Sequence, residues 1–282
     1  MVAGSVATEA AVLSAEDVEQ YTEFGYVVVK NVISREEASR YYSLVLDLLP
    51  RSLVFPTQWH VADGRIKPYR EDGEGTWDTP ELLPLMCHET LYRVASQLLG
   101  SHRLRSGDGR YRDGSLGITL RNDAGPVLSQ RLHVDASIPR DADRALLIPE
   151  EVQVGGCYYF NDVEPEGGGI HVIPRGHRLV SEKVSNHPDG WKSAYQPGFF
   201  DEFPPSVEIT ARAGDFVLLH HLVPHAASNN RRSLPRVAQF VRFLRADNPH
   251  YPAQPAPPNL YNTQQLKAMG ELGKKLLGVE PW

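Results

Sequence analysis

The stretch from about residue 103 to about residue 245 constrains the fold most, because Gly, Pro, Asn and Asp cut it into short apolar runs. Runs of this kind, bounded by turn residues, read as strands. They fall at 116–121, 128–135, 151–161, 169–173, 207–211, 216–221 and 236–244. Short strands in close succession bury their apolar faces by forming a sandwich or a barrel. The helical patterns lie ahead of the strands instead of alternating with them, which excludes a doubly wound parallel sheet.

The flanks are helical. Residues 1–13 are small and Ala-rich and are expected to fray. Ser14-Ala15-Glu16-Asp17 forms a capping box for a helix that runs to about Phe24, where Gly25 ends it and Tyr26 to Val29 begin a strand. Ser34-Arg35-Glu36-Glu37 opens a second helix. Its apolar positions, Ala38, Tyr41, Leu44, Val45 and Leu48, keep helical spacing before Pro50. Residues 51–80 are irregular, with Trp59, His60, Arg65, Tyr69, Arg70 and Trp77 set among Gly and Asp, as in a lid or an excursion. A helical pattern returns over 81–100, and a last helix over 263–277 follows a Pro-rich stretch. The organisation expected is one domain over 1–282. Its β core spans about 103–245, its N-terminal helical and lid region 14–100, and its C-terminal segment 260–282 packs back on the core.

Composition narrows the function. The net charge is −6, and the basic pair Arg231-Arg232 is too short for a nucleic-acid tract, so a small-molecule substrate is expected and nucleic acid is not. Two cysteines, Cys87 and Cys157, permit one disulfide and exclude a Cys-based zinc site. The first twenty residues lack a secretory pattern, no apolar run is long enough for a bilayer, and Glu280-Pro281-Trp282 is no peroxisomal address. A cytoplasmic protein without a membrane partner is expected.

The chemistry gathers at histidines. His133-Val134-Asp135 closes an expected strand, where residues two apart share a face. Ser129, Arg131, His133 and Asp135 are therefore expected on one face, with Gln130 on the other. Such a pair supplies two adjacent metal ligands, and two histidines plus one carboxylate leave positions open as in non-haem iron(II) oxygenases. The bare motif is weak: His187-Pro188-Asp189 repeats it, inside an Asn-His-Pro-Asp-Gly turn. A third ligand has three candidates, because an apolar strand launched by Gly214-Asp215 leads into His220, His221 and His225. Beyond them lies Arg236, with Arg242 on the same strand face as its rival. A guanidinium suits a dicarboxylate as a two-pronged partner.

Together these stretches resemble the phytanoyl-CoA dioxygenase family of iron(II)/2-oxoglutarate oxygenases. The likeness runs through the helix, strand and turn of 13–33, the His133-x-Asp135 pair and Glu164-Pro165-Glu166-Gly167-Gly168-Gly169 continuing to His171, Pro174, Gly176 and His177. It ends on His225 with Arg236 eleven residues on. It covers about 13–245. It implies a mainly β fold with flanking helices around a double-stranded β-helix (jelly-roll, cupin-like) core. It also implies iron on His133, Asp135 and His225, 2-oxoglutarate held by Arg236, and oxygen as co-substrate, with ascorbate as a helpful reductant in vitro. Many relatives carry Ser or Thr two residues beyond the distal His or the Arg; here Ala227 and Ala238 stand there. The second cofactor contact is open, with Gln130 and Arg121 as candidates. Asp135 is a carboxylate where related halogenases have a small residue, so halogenation is not implied.

Arg131, Trp59, Tyr69 and Trp77 are candidate substrate contacts, while His171, His177, Tyr158 and Tyr159 read as turn or packing residues. The activity implied is hydroxylation, desaturation, epimerisation or cyclisation of a small organic molecule, in secondary metabolism. A catalytically silent cupin-like binding module and an acyl-CoA hydroxylase are the alternatives. The first predicts loss of a ligand or of Arg236, and the second a basic cluster for the CoA phosphates; the sequence shows neither.

Overall fold

The computed structural model describes residues 12–47, 65–66, 79–106, 116–135, 153–248 and 255–282. In chain order the elements are α1 (Ala15–Phe24), β1 (Tyr26–Val29), α2 (Arg35–Asp47), β2 (Arg65–Ile66), α3 (Leu83–Met86), α4 (Glu89–Leu99), β3 (Leu104–Ser106) and β4 (Leu116–Thr119). They continue with β5 (Val154–Tyr159), β6 (Ile170–Val172), α5 (Gly176–Asn186), β7 (Val207–Glu208), β8 (Phe216–His220), β9 (His225–Ala227), β10 (Arg236–Arg245) and α6 (Thr263–Leu276). A 3₁₀ turn, Gly190–Tyr195, follows α5.

Both capping boxes form. Ser14 Oγ accepts from the Asp17 N–H at 3.1 Å while Asp17 accepts from the Ser14 N–H at 3.0 Å. Ser34 and Glu37 exchange the same pair of bonds at 3.1 and 2.9 Å. Reciprocal capping satisfies donors that a helix start otherwise leaves open. The pattern over 81–100 divides into α3 and α4, because Cys87 and His88 leave helical geometry between them.

The strands form two sheets. The larger runs β1-β8-β5-β10-β4-β2, with β3 on the far half of β10; the smaller runs β7-β6-β9. This is the double-stranded β-helix. Strand alternation gives β8 and β10 buried residues on both faces. Val217, Leu219 and Ala238 point between the sheets, against Ile170 and Val172 of β6. Phe216, Leu218, Val237, Val241 and Phe243 point the other way, into a layer shared with Tyr21, Val45, Leu91 and Leu99 of the helices. The helices therefore seal the outer face of the large sheet, and the space between the sheets is left for a site. Cys87 and Cys157 are both buried and unpaired with each other. Among the described residues no helix is long and apolar enough to cross a membrane.

One expected strand does not form as a ladder. Over 128–135 only two isolated bridges occur, Leu128 with Ser228 and His133 with His225. Five steps of chain, from 128 to 133, oppose three steps, from 228 to 225. The surplus forces the segment out of register between the bridges, as a bulge does.

The close approach of β5 to β8 depends on Gly156, where an added Cβ would lie 1.9 Å from the Val217 carbonyl oxygen. Gly156→Ala is expected to destabilise the protein by about 3 kcal/mol or more, read from urea denaturation midpoints.

Candidate metal centre

The centre is assembled by one backbone exchange. The His133 N–H donates to the His225 carbonyl at 3.0 Å, and the His225 N–H donates to the His133 carbonyl at 2.9 Å. The two rings stand 4.4 Å apart, centroid to centroid. Each ring is turned by its own neighbourhood: His133 Nδ1 lies 3.1 Å from the Arg131 carbonyl, and His225 Nδ1 lies 3.0 Å from the Val223 carbonyl. A carbonyl can only accept, so Nδ1 carries the proton in both rings and Nε2 keeps its lone pair. Both Nε2 atoms face Asp135. His133 Nε2 is 3.8 Å from Asp135 Oδ1, and His225 Nε2 is 3.6 Å from Asp135 Oδ2. Each of the three residues offers one ligand atom, and these atoms all lie within 4.8 Å of one another.

The electrostatics suit a cation. Burial works against the charged form of Asp135, but His225, Arg242 and His133 together hold its carboxyl well below the usual carboxylate range. Burial likewise disfavours a charged His225, yet Asp135 beside it raises its pKa overall. A carboxylate that draws a proton onto a buried imidazole marks a position where a metal ion would be stabilised.

A cavity between the two sheets opens onto this group, lined by Gln153, Gly156, Leu219, His220, His221 and Arg236 among others. Arg236 is 1% exposed. Its Nε donates to the Gly168 carbonyl at 2.8 Å, while its two terminal NH₂ groups have no hydrogen-bond partner. An unpaired buried guanidinium is costly, and an anion in the cavity would relieve it. Arg242, its rival in sequence, is engaged elsewhere: its NH₂ group pairs with Asp135 Oδ2 at 2.7 Å.

The bulge re-sorts the neighbours of His133. Gln130 lines the cavity, whereas Arg131 is exposed and does not, so the shared face expected for Arg131 and His133 is corrected. Strict alternation fails because two extra residues lie between the bridges. Arg121 is also exposed, pairs with Asp123 at 2.9 Å and lies off the cavity. Trp59, Tyr69 and Trp77 lie outside the described residues. His220 and His221 stack at 4.3 Å and line the cavity wall, while His225 joins the ligand group. His171 is buried, with Nδ1 3.1 Å from Ser206 Oγ. Tyr158 and Tyr159 are fully buried. Gln153 and the role of Arg242 beside Asp135 were not foreseen. The in-phase spacing of Arg236 and Arg242 was a visible signal for the second, and nothing in the sequence signalled the first.

A double-stranded β-helix with two imidazoles, one carboxylate and an unpaired arginine between its sheets is the architecture of a non-haem iron, 2-oxoglutarate-dependent oxygenase. A family model described as Phytanoyl-CoA dioxygenase (PhyH) matches residues 21–238, and the chain belongs to that family. Solved structures with the same fold include the non-haem α-ketoglutarate-dependent carbocyclase SnoK from nogalamycin biosynthesis. It is 23% identical, with a TM-score of 0.57 over 86% of this chain and 87% of that one. HygX from Streptomyces hygroscopicus, with nickel and 2-oxoglutarate bound, is 16% identical, with a TM-score of 0.55 over 83% of this chain and 88% of that one. EctD from S. alaskensis, with bound Fe, is 17% identical, with a TM-score of 0.54 over 87% of this chain and 85% of that one. No curated protein matches the chain.

Behind the cavity wall, burial pushes His177 down to about 4, although its Nε2 lies 3.2 Å from the Thr22 carbonyl. A histidine kept neutral in the fold binds its proton only after unfolding, so stability falls as pH drops from 6.5 toward 4 and flattens below. His177→Gln is expected to remove this part of the pH dependence, on the order of 3 kcal/mol in all, measured by denaturation from pH 4 to 8.

Proposed function

We propose that this enzyme oxidises a small organic molecule in secondary metabolism, by hydroxylation, desaturation, epimerisation or cyclisation. The observation that carries the reading is Arg236, buried with both terminal NH₂ groups unpaired and facing the same cavity as the His133, Asp135 and His225 group. Nε2 of His133, Nε2 of His225 and the Asp135 carboxylate would hold iron(II). With 2-oxoglutarate and oxygen, that iron supplies the oxidant for attack on the substrate, with succinate and CO₂ as co-products.

The chain's own residues orient and shield. Arg236 would grip the far carboxylate of 2-oxoglutarate through its two free NH₂ groups, a fork-on-fork contact. Thr119 is proposed as the second contact that Ala227 and Ala238 cannot make. It is the strand partner of Arg236, fully buried, and its hydroxyl has no hydrogen-bond partner. Gly168 touches both residues: its carbonyl accepts from Arg236, and a Cβ there would lie 3.2 Å from the Thr119 methyl carbon. The Arg131 and Val223 carbonyls keep both Nε2 lone pairs directed at the metal position. Leu219, Ile170 and Phe240 supply apolar wall that keeps bulk water from it.

The likeness to SnoK, a carbocyclase of nogalamycin biosynthesis, and to HygX, solved also with hygromycin B bound, supports a small natural-product substrate. A silent binding module is disfavoured, because neither the ligand group nor the unpaired arginine has been lost.

Purified protein with iron(II), 2-oxoglutarate, ascorbate and oxygen is expected to form succinate, stimulated by a substrate found in a natural-product panel. His133→Ala is expected to abolish it. Absence of succinate from the wild-type protein across the panel would count against turnover. Arg236→Met is expected to keep iron(II) binding and raise the 2-oxoglutarate concentration needed by about 100-fold, as read by calorimetric titration.

A further inference from the structure

Among the described residues, Asp135 is the proposed ligand with the least backbone support. The exchange of main-chain hydrogen bonds stops at His133, and among the described residues no backbone hydrogen bond reaches Asp135. Two side chains from neighbouring strands hold it instead. Gln153, immediately ahead of β5, is 1% exposed and donates from Nε2 to the Asp135 main-chain carbonyl at 2.7 Å. Because a carbonyl only accepts, this bond also fixes which end of the Gln153 amide faces Asp135. Its other end, Oε1, is buried without a hydrogen-bond partner, so the amide has been placed for this one contact. From β10, Arg242 reaches the Asp135 carboxylate, NH₂ to Oδ2 at 2.7 Å.

The path of the Arg242 arm is built into β5. Arg242 is the strand partner of Gly155. A Cβ on Gly155 would lie 2.9 Å from Arg242 Cγ and 3.2 Å from the Val241 carbonyl oxygen. Glycine at 155 leaves the lane along which the arginine crosses the strand to the carboxylate.

We infer that Gln153 and Arg242 are positioning residues that brace Asp135 as a one-oxygen metal ligand. Gln153 fixes the main chain. Arg242 pairs with Oδ2, which also faces His225 Nε2 at 3.6 Å, and leaves Oδ1, 3.8 Å from His133 Nε2, for the metal. A carboxylate held this way takes one coordination position rather than two, which keeps room for a chelating cofactor and oxygen. The inference rests on the reading of His133, Asp135 and His225 as a metal site. It concerns residues that contact neither the metal nor the far carboxylate of the cofactor.

The test is cobalt(II) binding to the full-length metal-free protein, followed by calorimetry and by the visible spectrum of the bound ion. Arg242→Met and Gln153→Leu are each expected to weaken cobalt binding by about 10–100-fold and to change the spectrum. Arg242→Lys, which keeps the charge, is expected to recover part of the affinity. Gly155→Ala is expected to behave like Arg242→Met, because it blocks the arm without touching Asp135. Metal-free melting temperatures separate a positioning effect from general damage, and Gln153→Leu and Arg242→Lys carry the test if Arg242→Met does not fold. Asp135→Ala separates failure of the brace from failure of the metal site. If it abolishes binding while the Arg242 and Gln153 variants stay within about twofold of wild type, the brace is wrong. If Asp135→Ala binds cobalt as tightly as wild type, the metal-site reading itself fails.

Discussion

The site depends on a pair of backbone hydrogen bonds between His133 and His225, 3.0 and 2.9 Å long and running in opposite directions. They join residues ninety-two positions apart in the chain. Neither residue belongs to a long ladder at this point: the contact is an isolated bridge, between β9 and a segment that bulges just before it. A bridge of this kind has little cooperative support of its own, so the surroundings must hold it. The small sheet holds one side, through Val172 paired with His225. On the other side Val134, between His133 and Asp135, is buried in a cluster with Val180, Val184, Phe199 and Leu222. That cluster couples α5 and the turn after it to the geometry of the centre.

Much of the fold was legible because local chemistry and global need agree. Ser14 and Ser34 cap as their sequences demand. The apolar runs over 216–221 and 236–244 read as strands, and the structure covers them with a helix layer on one face and a small sheet on the other. Less legible were features fixed by distant partners. The strand over 128–135 has the right composition but meets β9 with two residues to spare, a mismatch that exists only in the pairing. The helix α5 was not anticipated. No element is expected over this stretch in the sequence, and its N-cap, Arg175, offers no side-chain cap and lies in the left-handed region.

The site divides along the same line. His133 and Asp135 are neighbours in sequence, so their grouping could be read directly. His225 required a choice among three histidines, and it is His225, rather than His220 or His221, whose donor atom lies beside those of His133 and Asp135. Arg236 and Arg242 are in phase on one strand and chemically alike, yet their surroundings divide them. Arg236 is buried beside Gly168 with unpaired donors, and Arg242 is bound to Asp135. No local pattern distinguishes two arginines by what lies across the cavity. Gln153 was invisible for a related reason: what it meets is one main-chain carbonyl.

Anomalous diffraction from crystals grown with manganese(II) and 2-oxoglutarate, without oxygen, would locate the metal and the cofactor together. One metal peak is expected in contact with Nε2 of His133, the Asp135 carboxylate and Nε2 of His225, with the far carboxylate of 2-oxoglutarate on the Arg236 guanidinium. A metal seated on His220 and His221, or 2-oxoglutarate bound away from Arg236, would contradict it.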